Sequence, residues 1–410
     1  MSGLGLSACS GSGTAWKSPG GDSSKAPSSA VHITSPADGA QDVPTALDLV
    51  FSAKTSASAT VTLKDDSGAT ITGSPAPASP TTASAAASAP ASGPASAPAS
   101  SAASSPPAAD SVRWIPDKQL KWGTGYTATV TADGATSSVK FTTMAKPATT
   151  RVTSQVGDHQ VVGVGMPMIL QFGVDIPKNK RADVQRRLFM SSDPPQEGVW
   201  NWFSSKEIHY RPKEYWQAGT KLTLRAALGG VSFGGQSGKE TYGERDLTVD
   251  ATVGKRLIME VDNATKKMTV TEDGVLLKTM PVSLGKPSSP SDSGNFIVMV
   301  KNEWEWFDSS TYGVPVDSAD GYRTKVQFPQ RITWSGQYIH AAPWSVADQG
   351  RRNVSHGCVN ISLELAQWLY GVTHIGDPVI VKGTEERVKY GDGWTDWELP
   401  WEQYVKGSAL

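Results

Sequence analysis

Along most of this chain apolar and polar positions alternate in short runs, and turn residues close each run. Residues 60–64, Thr-Val-Thr-Leu-Lys, are one such run, ended by Asp66-Ser67-Gly68. A period of two puts every second side chain on one face, the mark of a half-buried strand. The same pattern predicts strands over 31–34, 47–51, 112–115, 126–130 and 138–142, and hence a β-sandwich over 31–147. A second sandwich is predicted over 148–250, with strands at 168–172, 206–210 and 221–225 and a short helical turn at 183–188. A third β-rich unit follows over 251–384. It opens with strands at 255–261 and 267–271, a Glu272-Asp273-Gly274 turn and a return strand at 275–277. Further strands are predicted at 295–300, 337–340 and 378–381. One helix is expected over 363–370, where Ser362 stands ready to accept a hydrogen bond from the first turn. Residues 385–410 carry Trp394, Trp397 and Trp401, expected to pack back onto the third unit.

Composition changes this picture in two places. Residues 10–30 are rich in Ser, Gly, Pro and Ala without periodicity and read as a disordered linker. Residues 74–109 hold almost nothing but Ala, Ser and Pro, so they cannot bury a core. Strand patterns flank that run on both sides, which makes it an insertion in a loop of the first sandwich. Loops tolerate such length at small entropic cost. The 40 Gly and 27 Pro fit a chain of many turns. Lys and Arg number 38 against 39 Asp and Glu, with no basic stripe for nucleic acid. No apolar run is long enough for a membrane helix. Two distant cysteines make no disulfide framework. With roughly seven short strands each, both sandwiches resemble the immunoglobulin type without its Cys pair.

The chemistry gathers near the end. Cys358 lies in Ser355-His356-Gly357-Cys358-Val359-Asn360, and His340 precedes it in Tyr338-Ile339-His340-Ala341. On these residues alone Cys358 is a buried structural thiol, a zinc ligand with His340 and His356, or a nucleophile. No CxxC or HxxxH pair supports zinc, and an inert thiol leaves the flanking residues unexplained. A nearby imidazole lowers a thiol pKa or removes its proton, which favours the nucleophile. Gly357 permits a positive φ and a close backbone approach to a carbonyl substrate.

The order His then Cys, and the string itself, resemble the L,D-transpeptidase (YkuD-type) family. Its signature is a His, a spacer of roughly 14 to 17 residues, then Ser/Thr-His-Gly-Cys-hydrophobic-Asn; fourteen residues separate His340 from Ser355 here. Residues 309–316 and 321–324 look like the flap over the cleft of actinobacterial members, and 342–345 like the cleft wall. The order of two Ig-like domains, catalytic domain and Trp-rich extension is similar to that of mycobacterial-type enzymes. The resemblance implies that Cys358 is the nucleophile and His340 the base, oriented by the Ala341 carbonyl. It implies that His356 positions substrate or tunes the thiol, and that Gly357 and Cys358 N–H groups, with the Tyr322 hydroxyl, hold an oxyanion. Tyr312, Tyr322 and Trp344 line the cleft on this reading, Ser335 contributes to substrate binding, and Ser355 and Asn360 hold the loop.

The implied reaction is acyl transfer between peptidoglycan stem tetrapeptides, giving 3→3 cross-links, without a metal or other cofactor. A carbapenem is expected to trap Cys358. An L,D-carboxypeptidase, a protein-to-peptidoglycan acyltransferase and a non-catalytic wall-binding lipoprotein stand as alternatives. Leu6-Ser7-Ala8-Cys9 resembles the lipobox of bacterial lipoproteins, with Cys9 as the lipidated residue, although residues 1–8 lack a charged and an apolar region. Residues 1–30 then read as a signal remnant and tether. The expected protein is monomeric, anchored to the membrane and faces the wall. His32, His159, His209 and His374 lie far in sequence from any partner set and receive no role. Trp200, Trp202 and Trp216 are expected in a core or domain interface.

Overall fold

Strand alternation becomes two packed sheets in the first unit. The computed structural model describes residues 31–53, 58–75, 111–235, 239–313, 315–318 and 321–410, so Cys9 and nearly all of the 74–109 run lie outside the described residues. One sheet orders Val31–Ser35, Leu49–Ala53, Ser111–Pro116 and Gly73–Pro75; the other orders Ala40–Val43, Ala135–Thr143, Gly125–Ala132, Thr60–Asp65 and Thr70–Ile71. In Gly125–Ala132 every second residue, Tyr126, Ala128, Val130 and Ala132, is buried. They meet Leu49, Phe51, Trp114 and Phe141 in one core. Ser74 pairs antiparallel with Ile115, so the residues bounding the Ala/Ser/Pro run belong to adjacent strands of one sandwich.

The second unit is built alike. Val152–Ser154, Met168–Phe172, Glu207–Pro212 and Gly198–Trp202 form one sheet, and Gln160–Val162, Leu247–Val253, Lys221–Ala226 and Leu188–Asp193 the other. Trp200, Trp202 and Trp216 are buried in its core. The helical segment differs from expectation: it spans Lys178–Gln185, starting after Pro177, and Leu188 already pairs with Ala226 as strand. Pro177 supplies the φ of a helix start, while pairing in the sheet claims residue 188. Arg187 ties the two sandwiches together. Its guanidinium lies 2.5 Å from Asp48 and donates to the Ala46 carbonyl at 2.5 Å.

The third unit contains a six-stranded sheet ordered Val275–Pro281, Lys267–Glu272, Leu257–Asp262, Pro378–Lys382, Asp292–Ile297 and Glu386–Arg387. A four-stranded sheet holds Val300–Lys301, Gln330–Arg331, Tyr338–Ala341 and Val359–Ile361, and a separate hairpin pairs Trp304–Asp308 with Arg323–Gln327. The expected helix spans Leu363–Val372, and Ser362 Oγ accepts from the Leu365 N–H at 3.3 Å. Ala366 and Leu369 turn into the core shared with Ile339, Val359 and Ile361.

The second and third units share a core rather than a linker. Ile258, Ile297, Met299 and Trp394 belong to the same buried cluster as Val162, Val164 and Met166. Gly163 and Gly165 N–H groups donate to the carbonyls of Ile375 and Gly376 at 2.8 and 2.9 Å. The approach is so close that a Cβ at Gly163 would stand 2.1 Å from the Asp377 nitrogen.

The Trp-rich tail docks on both units: Glu386–Arg387 closes the six-stranded sheet of the third unit, and the residues that follow also reach the second sandwich. Arg211, buried on Glu207–Pro212, stacks against Trp397 at 4.4 Å and Tyr404 at 4.1 Å and donates to the Leu399 carbonyl at 2.9 Å. Trp397 donates to the Gly165 carbonyl at 2.7 Å. His209, given no role from sequence, bridges Glu207 and the tail's Asp396. A cation and an imidazole on one strand draw the aromatic and acidic tail toward them. On the third unit Trp394 meets Trp334, Glu398 accepts from Asn295, and Asp392 accepts from the Ser335 N–H.

Candidate active site

Strand register brings the thiol and imidazole to one face. Tyr338–Ala341 and Val359–Ile361 run parallel, with Ile339 opposite Val359 and His340 opposite Asn360. Side chains alternate along a strand and agree across a register. His340, Asn360 and Cys358, one residue before the paired stretch, therefore share a face. His340 is buried, and its Nδ1 lies 2.9 Å from the Ala341 carbonyl. A carbonyl only accepts, so Nδ1 carries the proton and Nε2 keeps its lone pair.

Burial drives both groups toward neutrality. It pushes His340 down to about 4, against the opposing Ala341 hydrogen bond. Burial pushes the half-buried Cys358 up to about 12, opposed only by the Tyr338 backbone N–H. The expected lowering of the thiol pKa is thus absent at rest. The pair is thiol and imidazole, and a thiolate forms only when the proton is taken during attack. The thiol rests 3.7 Å from the Gly336 carbonyl.

The loop before Cys358 is held from within. Gly357 has φ 118°, a conformation open to glycine. Ser355 Oγ donates to the Cys358 carbonyl at 2.6 Å and accepts the Gly357 N–H at 3.1 Å; Ser291 Oγ donates to the Gly357 carbonyl at 2.7 Å. Ser355 thus ties the two sides of the loop together. The Gly357 N–H, one of the groups expected to hold an oxyanion, is engaged within the loop by Ser355 Oγ. Asn360 donates to Ser345 Oγ at 3.1 Å, fixing the start of the crossover.

These residues floor a cleft of about 310 Å³. The hairpin roofs it with Phe307, Thr324 and Val326, Tyr322 comes from the flap, and Trp344 lines it although 59% exposed. Phe307 meets the His340 ring edge-on at 5.2 Å. His356 lines the same cleft, exposed, with the Tyr322 ring 5.5 Å away. Ser335 is not brought in: its hydroxyl lies 2.9 Å from Thr333 Oγ1 and its N–H donates to Asp392 at 2.7 Å. Tyr312 ends the 3-10 turn Ser309–Tyr312, and its side chain lies outside the described residues. Lys286 is the residue that sequence reading missed. Its Nζ donates to His356 Nε2 at 3.0 Å. A single bridge between Gly285 and Ser355 places it there, and no local motif marks it.

In a zinc set of Cys358, His340 and His356 the last ligand fits poorly, because Lys286 Nζ stands 3.0 Å from His356 Nε2. Among the described residues Asp158, His159 and Asp250 do gather at metal-ligand spacing, on the second sandwich and without a cleft residue.

The comparisons agree with this architecture. A bacterial Ig domain model matches residues 96–232, across both sandwiches, and the L,D-transpeptidase catalytic domain model (YkuD) matches residues 256–381. L,D-transpeptidase 2 of Mycobacterium tuberculosis (strain CDC 1551 / Oshkosh) is 37% identical over 305 residues, covering 73% of each chain. L,D-transpeptidase 1 of Mycobacterium tuberculosis (strain ATCC 25618 / H37Rv) is 36% identical over 223 residues, 54% of this chain and 81% of that one. A solved structure of the LD transpeptidase LdtMt1 in complex with imipenem is 34% identical, covers 58% of this chain and 100% of that one, and gives a TM-score of 0.48. This chain belongs to the L,D-transpeptidase family: an enzyme with Ig-like and YkuD catalytic domains.

Proposed function

We propose that this enzyme forms 3→3 cross-links between peptidoglycan stems through a thioester on Cys358. His340 Nε2 takes the thiol proton as Sγ attacks the carbonyl between the L-centre of meso-diaminopimelate and the terminal D-Ala of a tetrapeptide. The C–N bond then breaks, the proton passes from His340 to the leaving D-Ala amine, and the acyl group stays on sulfur. The side-chain amine of a second stem attacks the thioester. Its proton returns through His340 to the departing thiolate, which restores the resting pair.

The observation that carries this reading is the shared face of His340 and Cys358, with Nδ1 tied to the Ala341 carbonyl. That tie leaves the basic nitrogen for the thiol. The hairpin roof supports it too, since a thioester must be kept from water until the amine arrives. Lys286 and His356 offer donors for a substrate carboxylate at the cleft. On the same reading the protein works outside the cytoplasm, tethered at Cys9, with the sandwiches as spacers toward the wall.

The test is intact-protein mass spectrometry with a carbapenem, followed by incubation with a stem tetrapeptide. The expected result is a one-to-one adduct on the wild type and none on Cys358→Ala, then released D-Ala and a cross-linked dimer. No adduct on the wild type overturns the nucleophile. D-Ala release with a tripeptide as the only other product assigns the carboxypeptidase instead.

A further inference from the structure

The hairpin over the cleft has a second face. Register sets Trp306 opposite Lys325 and Asp308 opposite Arg323, so Trp304, Trp306, Lys325 and Arg323 share the side away from Phe307 and Val326. Phe307 and Val326 are buried, whereas Trp304 and Trp306 are 50% and 51% exposed. Lys325 Nζ lies 4.2 Å from the Trp304 ring and the Arg323 guanidinium 5.3 Å from that of Trp306. Asp308 is paired with Arg323 at 3.7 Å. Large aromatic residues half open to solvent on a two-stranded ribbon are not needed for its packing, which the inner face supplies.

We propose that this outer face is a stacking platform for the glycan strand that carries the stem. Trp304 and Trp306 would take the apolar faces of N-acetylated sugar units, while Lys325 and Arg323 donate to their amide and hydroxyl oxygens. The proposal rests on the cleft being a stem site. The reacting bond follows the third stem residue, and three extended residues reach about 10 Å, so a stem in the cleft keeps its sugar beside the roof. Size favours a sugar over a protein. An indole buries at most about 250 Å², so two half-exposed rings offer about 250 Å² together, well under the roughly 800 Å² per partner of a stable protein interface. The cations flanking the rings match a ligand rich in acceptor oxygens.

The experiment uses the full chain, with a soluble, stem-free oligomer of β-linked N-acetylglucosamine as probe and isothermal titration as readout. Wild type, Trp304→Ala/Trp306→Ala and Cys358→Ala are compared, with carbapenem adduct formation as a check of the folded cleft. The expected result is sugar binding about tenfold weaker in the double variant, an unchanged adduct rate in that variant, and wild-type sugar affinity in Cys358→Ala. Equal affinity in wild type and double variant, or no binding by wild type, overturns the platform. Binding to phosphatidylglycerol vesicles that is lost with the tryptophans, without sugar binding, overturns it in favour of a membrane contact. Sugar binding that depends on the tryptophans, in a wild type that forms no adduct, sinks the cleft reading and leaves the platform standing as a sugar site.

Discussion

Replacing Asp396 by Asn should loosen the tail from the second sandwich, and only below about pH 9. His209 is fully buried, with Nδ1 at 2.8 and 2.9 Å from the two Asp396 oxygens and Nε2 at 2.6 Å from Glu207. Both nitrogens face acceptors, so the ring is an imidazolium. Phe203 stacks on it at 4.4 Å. Burial works against this cation, yet Asp396 and then Glu207 lift it from the ordinary 6.5 to about 9. That difference corresponds to about 3 kcal/mol. Because the folded value lies above the unfolded one, the contribution is complete below about pH 6.5 and is lost as pH rises through about 9. Asp396→Asn removes the stronger charge and should forfeit most of it near pH 6. At about 2–4 °C per kcal/mol, the melting temperature should fall by about 6–12 °C. Thermal melts from pH 6 to 10, with limited proteolysis to detect release of residues 385–410, test this. Wild type should converge on the variant toward pH 10. A wild-type melt that does not change with pH, or a variant offset equal at every pH, refutes the reasoning.

Further expectations concern the cleft and the seam. With His340 held near 4 and Cys358 near 12 by burial, the second-order rate of carbapenem acylation should be flat between about pH 5 and 9; an inflection near 7 in stopped-flow data would contradict a neutral resting pair. Gly163→Ala places a methyl against the backbone of residues 376 and 377, which cannot yield, so calorimetry should show a loss of about 1–3 kcal/mol or more, and an unchanged melt would refute the close seam. Lys286→Met removes the cation beside His356, and capture of an anionic stem should weaken about tenfold, the size of one charge-assisted hydrogen bond, in KM rather than kcat. Steady-state kinetics with a stem tetrapeptide separates the two, and an unchanged KM removes Lys286 from the binding site.

What could be read from sequence was local. The Cys358 string, the Ser362 cap and the alternating strands each depend on neighbours a few residues apart. The helix Lys178–Gln185 was displaced in prediction because only Val184 and Gln185 turn inward, so no apolar stripe marks it. Lys286 and His356 lie 70 residues apart and meet through one bridge. His209 gained its partner only once the tail crossed to the second sandwich. The Gly357 N–H finds its partner, Ser355 Oγ, only through the way one tight loop folds on itself.

The parallel register of Tyr338–Ala341 and Val359–Ile361 has an evolutionary consequence. Parallel neighbours need a crossover of about a dozen residues or more, which sets a floor on the separation of His340 and Cys358 that owes nothing to catalysis. Above that floor the crossover is tied down as well: the Gly350 N–H donates to the Val282 carbonyl at 2.9 Å and Ser283 Oγ to that of Arg352 at 2.8 Å. A slip of one residue in either strand turns one reactive side chain to the opposite face, so selection reads register where a sequence motif records only distance.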